Sequence, residues 1–286
     1  MTPRLSALSF VGAAAFASSA AAQWGNIVGK VTLGPSLAAP PSATLDVPAA
    51  HQDRVYCLGK GPLADEKLVV NPQNRGIKNV FVYLKAVKPG DIHSSHPQDK
   101  AAVAKADEAA FLKANGVSWE AVVDAAANGK ADVSKLQAHA MIDQVQCVFV
   151  PHALFVREGQ KLLVKNPEPV SHNTNVQGFE AANCFNQTMQ MKSVLVKELV
   201  KENGVVSVQC NVHGWMQMHL MVLDHPYCAV TDENGVFALP KVKAGTHKLV
   251  VRNADGFLFE RGKAVTVADG ADVDASVVAA KLPPAK

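Results

Sequence analysis

The sequence predicts a mainly β protein: a Greek-key β-sandwich, a second small β-sandwich, and a short helical insertion. Three observations lead there. Runs that alternate apolar and polar residues recur along most of the 286 residues, as in Ile27/Gly29/Val31/Leu33, Val80/Val82/Leu84 and Val206/Val208/Cys210. Turn signals separate these runs, among them Asn71-Pro72, Arg157-Glu-Gly159 and Asn234-Gly235. From His93 to about Met141 the chain instead becomes rich in Ala, Lys and Asp, with helical spacing and no β-branched runs.

Taken in order, residues 1–22 read as an export signal. Arg4 supplies the basic start, Leu5 to Ala17 the apolar stretch, and Ala20-Ala-Ala22 the cleavage site. No later stretch has the ~18 apolar residues that a membrane-spanning helix needs, so the expectation is a soluble periplasmic or extracellular protein. The formal charge of +3 is small, which argues against a nucleic-acid partner. Export also permits disulfides. Residues 23–92 form an N-terminal β segment with strands at 25–33 and 78–85. Residues 93–141 form the insertion, with helices at 99–114 and 118–127. Its His93, His96 and His139 are read as surface or loop histidines, although His93-x2-His96 has metal-ligand spacing on a helix.

The chemistry lies in residues 142–224. Strands are expected at 147–150, 153–156, 160–166, 205–209 and 218–224. Cys210-Asn-Val-His213-Gly-Trp-Met216 fills the turn between the last two, so a thiol, an imidazole and a thioether sit on one tight loop. These are the donor types of a blue-copper site, in which Cys and two His form a trigonal plane and Met lies far along the axis. His172, just past a strand end in the turn Pro167-Glu-Pro169-Val-Ser-His172-Asn173, is the candidate second imidazole. His152 reads as a structural imidazole, with a supporting role or an alternative ligand as the other options. Met218 is an alternative thioether. Met189, Met191, Met218 and Met221 read as core filling, or else as a soft surface for Cu(I). With Cys210 committed to metal, Cys57, Cys147, Cys184 and Cys228 remain, an even number that fits two disulfides of unknown connectivity.

Cys-x2-His-x2-Met before an apolar strand resembles the ligand loop of the cupredoxins, the amicyanin type in particular. Val150-Pro151, Gly159, Asn166 and His172-Asn173 are similar to the other half of that pattern. The resemblance covers roughly residues 146–224. It implies one type 1 copper held by His172, Cys210, His213 and Met216. It also implies that Asn173 ties the two ligand loops together, and that the His213 edge lies near the surface, with Gly214 and Trp215 in a docking patch. The partner implied is a redox protein such as a c-type cytochrome or an oxidoreductase.

After Tyr227 a new unit begins. Asp232-Glu-Asn234-Gly235 between two short strands reads as a β-hairpin turn. The run Thr-Asp-x-x-Gly-x-Phe-x-Leu-Pro-x-Val-x-x-Gly, Thr231 to Gly245, resembles the carboxypeptidase regulatory-like, transthyretin-like β-sandwich. Residues 225–282 hold few strands for a sandwich of their own. The expectation is therefore a discontinuous sandwich, in which strands 27–33 and 78–85 pair with 229–251 and the copper unit is inserted between them.

A closed Cys/His/His/Met set has no open position and no general acid or base beside it. Electron transfer is therefore expected, and not an enzyme. Copper carriage or buffering uses the same donors without a redox partner. A structural zinc site would need one further Cys or His. A purely adhesive sandwich module is the remaining class.

Overall fold

The computed structural model describes residues 24–96, 140–256, 258 and 262–280. The signal segment, both expected helices and His139 lie outside these residues. β1 (Trp24–Leu33) is the first element of the described residues. A short pair, β2 (Ala43–Thr44) and β3 (Ala64–Asp65), brackets the single-turn α1 (Arg54–Cys57), and β4 (Phe81–Lys85) follows. Then come β5 (Ala140–Val145), β6 (Val148–Val150), β7 (Ala153–Arg157) and β8 (Lys161–Asn166). The middle ends with β9 (His172–Gln177), β10 (Phe185–Met189), β11 (Ser193–Glu198), β12 (Val205–Gln209) and β13 (Gln217–Leu223). The last stretch holds β14 (Cys228–Val230), β15 (Val236–Lys243), β16 (Gly245–Arg252), β17 (Lys263–Val267), β18 (Asp272–Asp274) and β19 (Val277–Ala279).

Apart from the β2–β3 pair, these strands make two sandwiches. In the first, a sheet ordered β15-β1-β18, with β19 also on β1, faces a sheet ordered β14-β4-β16-β17. Both chain ends contribute. β1 pairs with β15 in the register Ile27↔Leu239 and Gly29↔Phe237, and β4 pairs with β14 and β16. Ile27, Val31, Val82, Leu84, Leu239 and Val251 meet in the core between the sheets. In the second sandwich a sheet ordered β10-β9-β12-β13-β7 faces one ordered β11-β8-β5-β6 over Ile142, Leu162, Val164, Val208, Leu220 and Val222.

β4 and β13 explain how the two sandwiches join. Successive strand residues point to opposite faces. Val82 and Leu84 enter the first core while Phe81 and Tyr83 face away from it. Leu220 and Val222 enter the second core while Met221 and Leu223 face outward. The outward sets meet at Phe81, Met221, Leu223 and Cys228. Both strands are thus buried on two faces, which is why they read as nearly continuous apolar runs.

The structure corrects three expectations. The insertion ends sooner than read: β5 starts at Ala140, with Ala140, Ile142 and Gln144 on the buried face and Met141 and Asp143 on the other. The Asn-Gly turn does not close a hairpin, because β14 pairs with β4 and β15 with β1. Its backbone is knitted instead to β1: Val31 N–H donates to the Gly235 carbonyl at 2.8 Å, and a Cβ on Gly235 (φ +74°) would meet the Val31 oxygen at 2.3 Å. Finally, one disulfide forms, Cys57–Cys147, while Cys184 and Cys228 are free thiols. Cys228 is buried at the junction and Cys184 is exposed at a loop, so the two never meet.

Among the described residues, no helix is long and apolar enough to cross a membrane. His93 and His96 are not free surface groups. His93 lies edge-on to Trp24, and His96, 2% exposed, lies edge-on to Tyr227.

Candidate metal centre

The loop 210–216 connects two paired strands, closed by the opposed pair Gln209↔Gln217. Its own backbone tightens it. Cys210 N–H donates to the Met216 carbonyl at 3.0 Å, and Met216 N–H to the His213 carbonyl at 2.8 Å. The Cys210 sulfur accepts the His213 N–H at 3.4 Å. His172 opens β9, the neighbour of β12 in the same sheet, and so arrives at the same pole. Asn173 joins the two loops. Its side-chain oxygen accepts Asn211 N–H at 2.6 Å and Val212 N–H at 3.3 Å, and its backbone N–H donates to Cys210 Sγ at 3.4 Å.

The result brings His172, Cys210 and His213 together in the dry interior. Their exposures are 0%, 2% and 0%. His172 Nδ1 lies 2.9 Å from His213 Nδ1, which lies 3.7 Å from Cys210 Sγ. Two donors sharing one ion at bond lengths of about 2.0 Å (N) and 2.3 Å (S) sit no more than about 4.3 Å apart, and both separations fall inside that limit. Met216 is fully buried in the same cluster as Cys210, as is Met218. His152 is placed elsewhere, edge-on to His219 with ring centroids 5.3 Å apart.

The outer ring nitrogens face carboxylates. His172 Nε2 is 2.8 Å from Glu168 Oε2, and His213 Nε2 is 3.1 Å from Asp53 Oδ2. A carboxylate accepts, so each Nε2 is the protonated nitrogen and each Nδ1 of the neutral ring offers a lone pair. Two lone pairs then confront each other beside a thiol in a site closed to water. A cation between them satisfies all three donors, so the residues fit a metal. Burial pushes the Cys210 thiol up, but the adjoining imidazoles of His172 and His213 and hydrogen bonds from the backbone N–H groups of Asn173 and His213 outweigh it and bring it to about 6. The sulfur is therefore ready to act as thiolate, the form that binds metal. Burial opposes the charge on Glu168 as well. The His172 ring and the N–H groups of Cys147 and Gln146 win, and its carboxyl stays below the usual range.

The surroundings of His213 correct a further reading. Its imidazole edge is not at the surface. The segment 48–61 lies over it: Asp53 takes the outer nitrogen, and the His51 ring packs at 5.0 Å, with His51 Nε2 3.0 Å from the Val212 carbonyl oxygen. Tyr56 donates its hydroxyl to Glu168 Oε1 at 3.1 Å. Cys57 pins the segment to Cys147, whose N–H donates to Glu168 and whose carbonyl accepts the Trp215 indole N–H. Trp215 is accordingly part of the wall, its ring 5.1 Å from His213. Gly214 alone of the expected docking pair is exposed. Sequence reasoning missed Asp53, His51, Tyr56 and Glu168. The one signal was an acid held between two prolines four residues before His172.

No protein-family model matches the sequence, and no curated protein matches it. Solved structures give partial likenesses. One is a copper-containing nitrite reductase from Thermus scotoductus SA-01, at 16% identity over 29% of this chain and 22% of that one, TM-score 0.27. Another is a mutant of amicyanin in its Cu(I) state, at 16% identity over 34% of this chain and 88% of that one, TM-score 0.27. A third is a purple cupredoxin from Nitrosopumilus maritimus, at 19% identity over 29% of this chain and 98% of that one, TM-score 0.25. The likeness thus spans about a fifth of the nitrite reductase chain (22%) and most of the two smaller proteins.

Proposed function

We propose that this chain is an exported blue-copper protein that binds one type 1 copper through His172, Cys210, His213 and Met216 and passes single electrons between redox partners. The observation that carries the reading is the convergence of two imidazole Nδ1 atoms and one cysteine sulfur in a buried pocket. Thiolate and thioether suit Cu(I), imidazole suits both oxidation states, and copper supplies one-electron exchange between them. The chain's own part is to hold the donors still. Asn173 locks the Cys210 loop to the His172 strand, two carboxylates fix the rings, and the sandwich fixes both loops. With little to rearrange, an electron can enter or leave without a bond being made, broken or protonated. The closed pocket also favours electron transfer over copper carriage, which needs a metal that exchanges readily.

Titration of the mature protein with Cu(II), followed by visible absorption, tests this. An intense thiolate-to-copper band that disappears in Cys210→Ser is expected. A colourless protein that takes up zinc tightly would overturn the reading in favour of a structural metal. The first sandwich, built from both ends of the described chain, is proposed to be of the carboxypeptidase regulatory-like type, on the strength of the Thr231–Gly245 pattern.

A further inference from the structure

Asp53 lies outside both ligand loops and 160 residues from His213 in sequence, yet its carboxylate sits on the outer nitrogen of that ring. Glu168 does the same for His172 from its own loop. The two arrangements match: ring Nδ1 inward, ring Nε2–H outward to an anion, at 3.1 and 2.8 Å. The carboxylates are themselves anchored. Glu168, 5% exposed, also accepts the N–H groups of Gln146 and Cys147 and the Tyr56 hydroxyl. Asp53 is held through its segment. His51 Nδ1 accepts the Asp53 N–H at 3.2 Å, Arg54 donates to the Val47 carbonyl, and Cys57 is bonded to Cys147.

We propose that Asp53 and Glu168 are a matched pair of positioning residues that bias the metal centre toward its more highly charged state. The segment 48–61 is thereby an integral part of the centre, not a bystander lying over it. The inference rests on the copper reading above. The physical reason is direct. An anion accepting the outer N–H pushes electron density through the ring onto Nδ1 and makes it a stronger donor. A stronger donor in a dry site favours Cu(II) over Cu(I), because the fixed negative charges are barely screened there. Both rings act in the same sense, so the contributions add.

The test is the reduction potential of the copper-loaded full chain in Asp53→Asn, with Glu168→Gln as a second variant. Loss of an outer partner of a ligand imidazole weakens metal binding roughly 10–100-fold. If that loss falls mainly on Cu(II), each tenfold raises the one-electron potential by about 59 mV. An upward shift in Asp53→Asn, with the thiolate band retained and with Val55→Ser on the same segment unchanged, is expected. An unshifted potential in a protein that keeps its band overturns the inference and leaves the copper reading standing. If the parent chain shows no band at all, the copper reading fails instead. Nitrogen-15 NMR of the metal-free chain then decides the positioning role alone. Both rings should carry an Nε2 proton protected from exchange, with protection lost at His213 only in Asp53→Asn and at His172 only in Glu168→Gln. Protonation at Nδ1 instead of Nε2 would overturn it.

Discussion

At the scale of single residues, the side chain of Asn173 holds the turn after Cys210 against the strand that carries His172. Its oxygen serves two N–H groups, those of Asn211 and Val212. Asn173→Ala removes both hydrogen bonds and the donation of Asn173 Nδ2–H to Asn186 Oδ1 at 2.7 Å, but Asn211, Val212 and Asn186 are exposed and water can replace the lost partner. The expected cost is about 1 kcal/mol, near the lower end for an unmet partner. Urea denaturation of the metal-free protein measures it; a loss above about 3 kcal/mol would mean the loop itself had collapsed. The ligand loop was legible in the sequence because Cys210, His213 and Met216 are fixed by spacing alone. Asp53 was not. Nothing near residue 53 alternates, and its contact to His213 exists only once the chain has folded back across 160 positions.

Elements show the same division between local pattern and tertiary placement. β12 and β1 follow from alternation within the strand, and β13 and β8 from short apolar runs, to within a residue or two. β5 was hidden because its apolar set opens with Ala140, continuous in composition with the Ala-rich run before it, and its buried face includes the polar Gln144. The Asn-Gly turn carried a sound local signal with a different use, since partners on β1 and β4 outcompete a hairpin. The covering segment has little regular structure beyond the four residues of α1, so the Cys57–Cys147 bond is its main covalent tether. Closing a loop across 90 positions is worth about 4–5 kcal/mol in the chain-entropy account. The double variant Cys57→Ser/Cys147→Ser is therefore expected to lose a few kcal/mol and to loosen the segment. Hydrogen exchange at residues 51–57, compared with exchange in β12, checks this. Equal protection in both proteins would show that His51, Asp53 and Tyr56 hold the segment without the bond.

On the scale of the molecule, the chain leaves the first sandwich after β4 and returns to it at β14, so the second sandwich is suspended between two crossings. Its contact with the first sandwich is apolar at Phe81, Met221 and Leu223, and histidines lie close by. His219, on the junction-facing side of β13, packs against His152, and His225 is buried in the return crossing beside Tyr227. Burial pushes His219 and His225 down to about 4, and His152 is also lowered, chiefly by burial. The unfolded chain takes up protons at about 6.5. Between about 6.5 and 4 it therefore binds more protons than the folded chain, and stability must fall as pH falls through that window. Above about 6.5 the contribution is complete and flat. Allowing for the partial exposure of His219, the loss is on the order of 3 kcal/mol for the pair. Denaturation midpoints of the metal-free protein between about pH 7 and pH 4 measure it, and His225→Gln should flatten part of the slope. A midpoint that does not fall across this range would mean that these rings are solvated and that the junction opens before the sandwiches do. A fall that His225→Gln leaves unchanged would assign the acid sensitivity to His152 and His219, and so to the junction-facing side of β13.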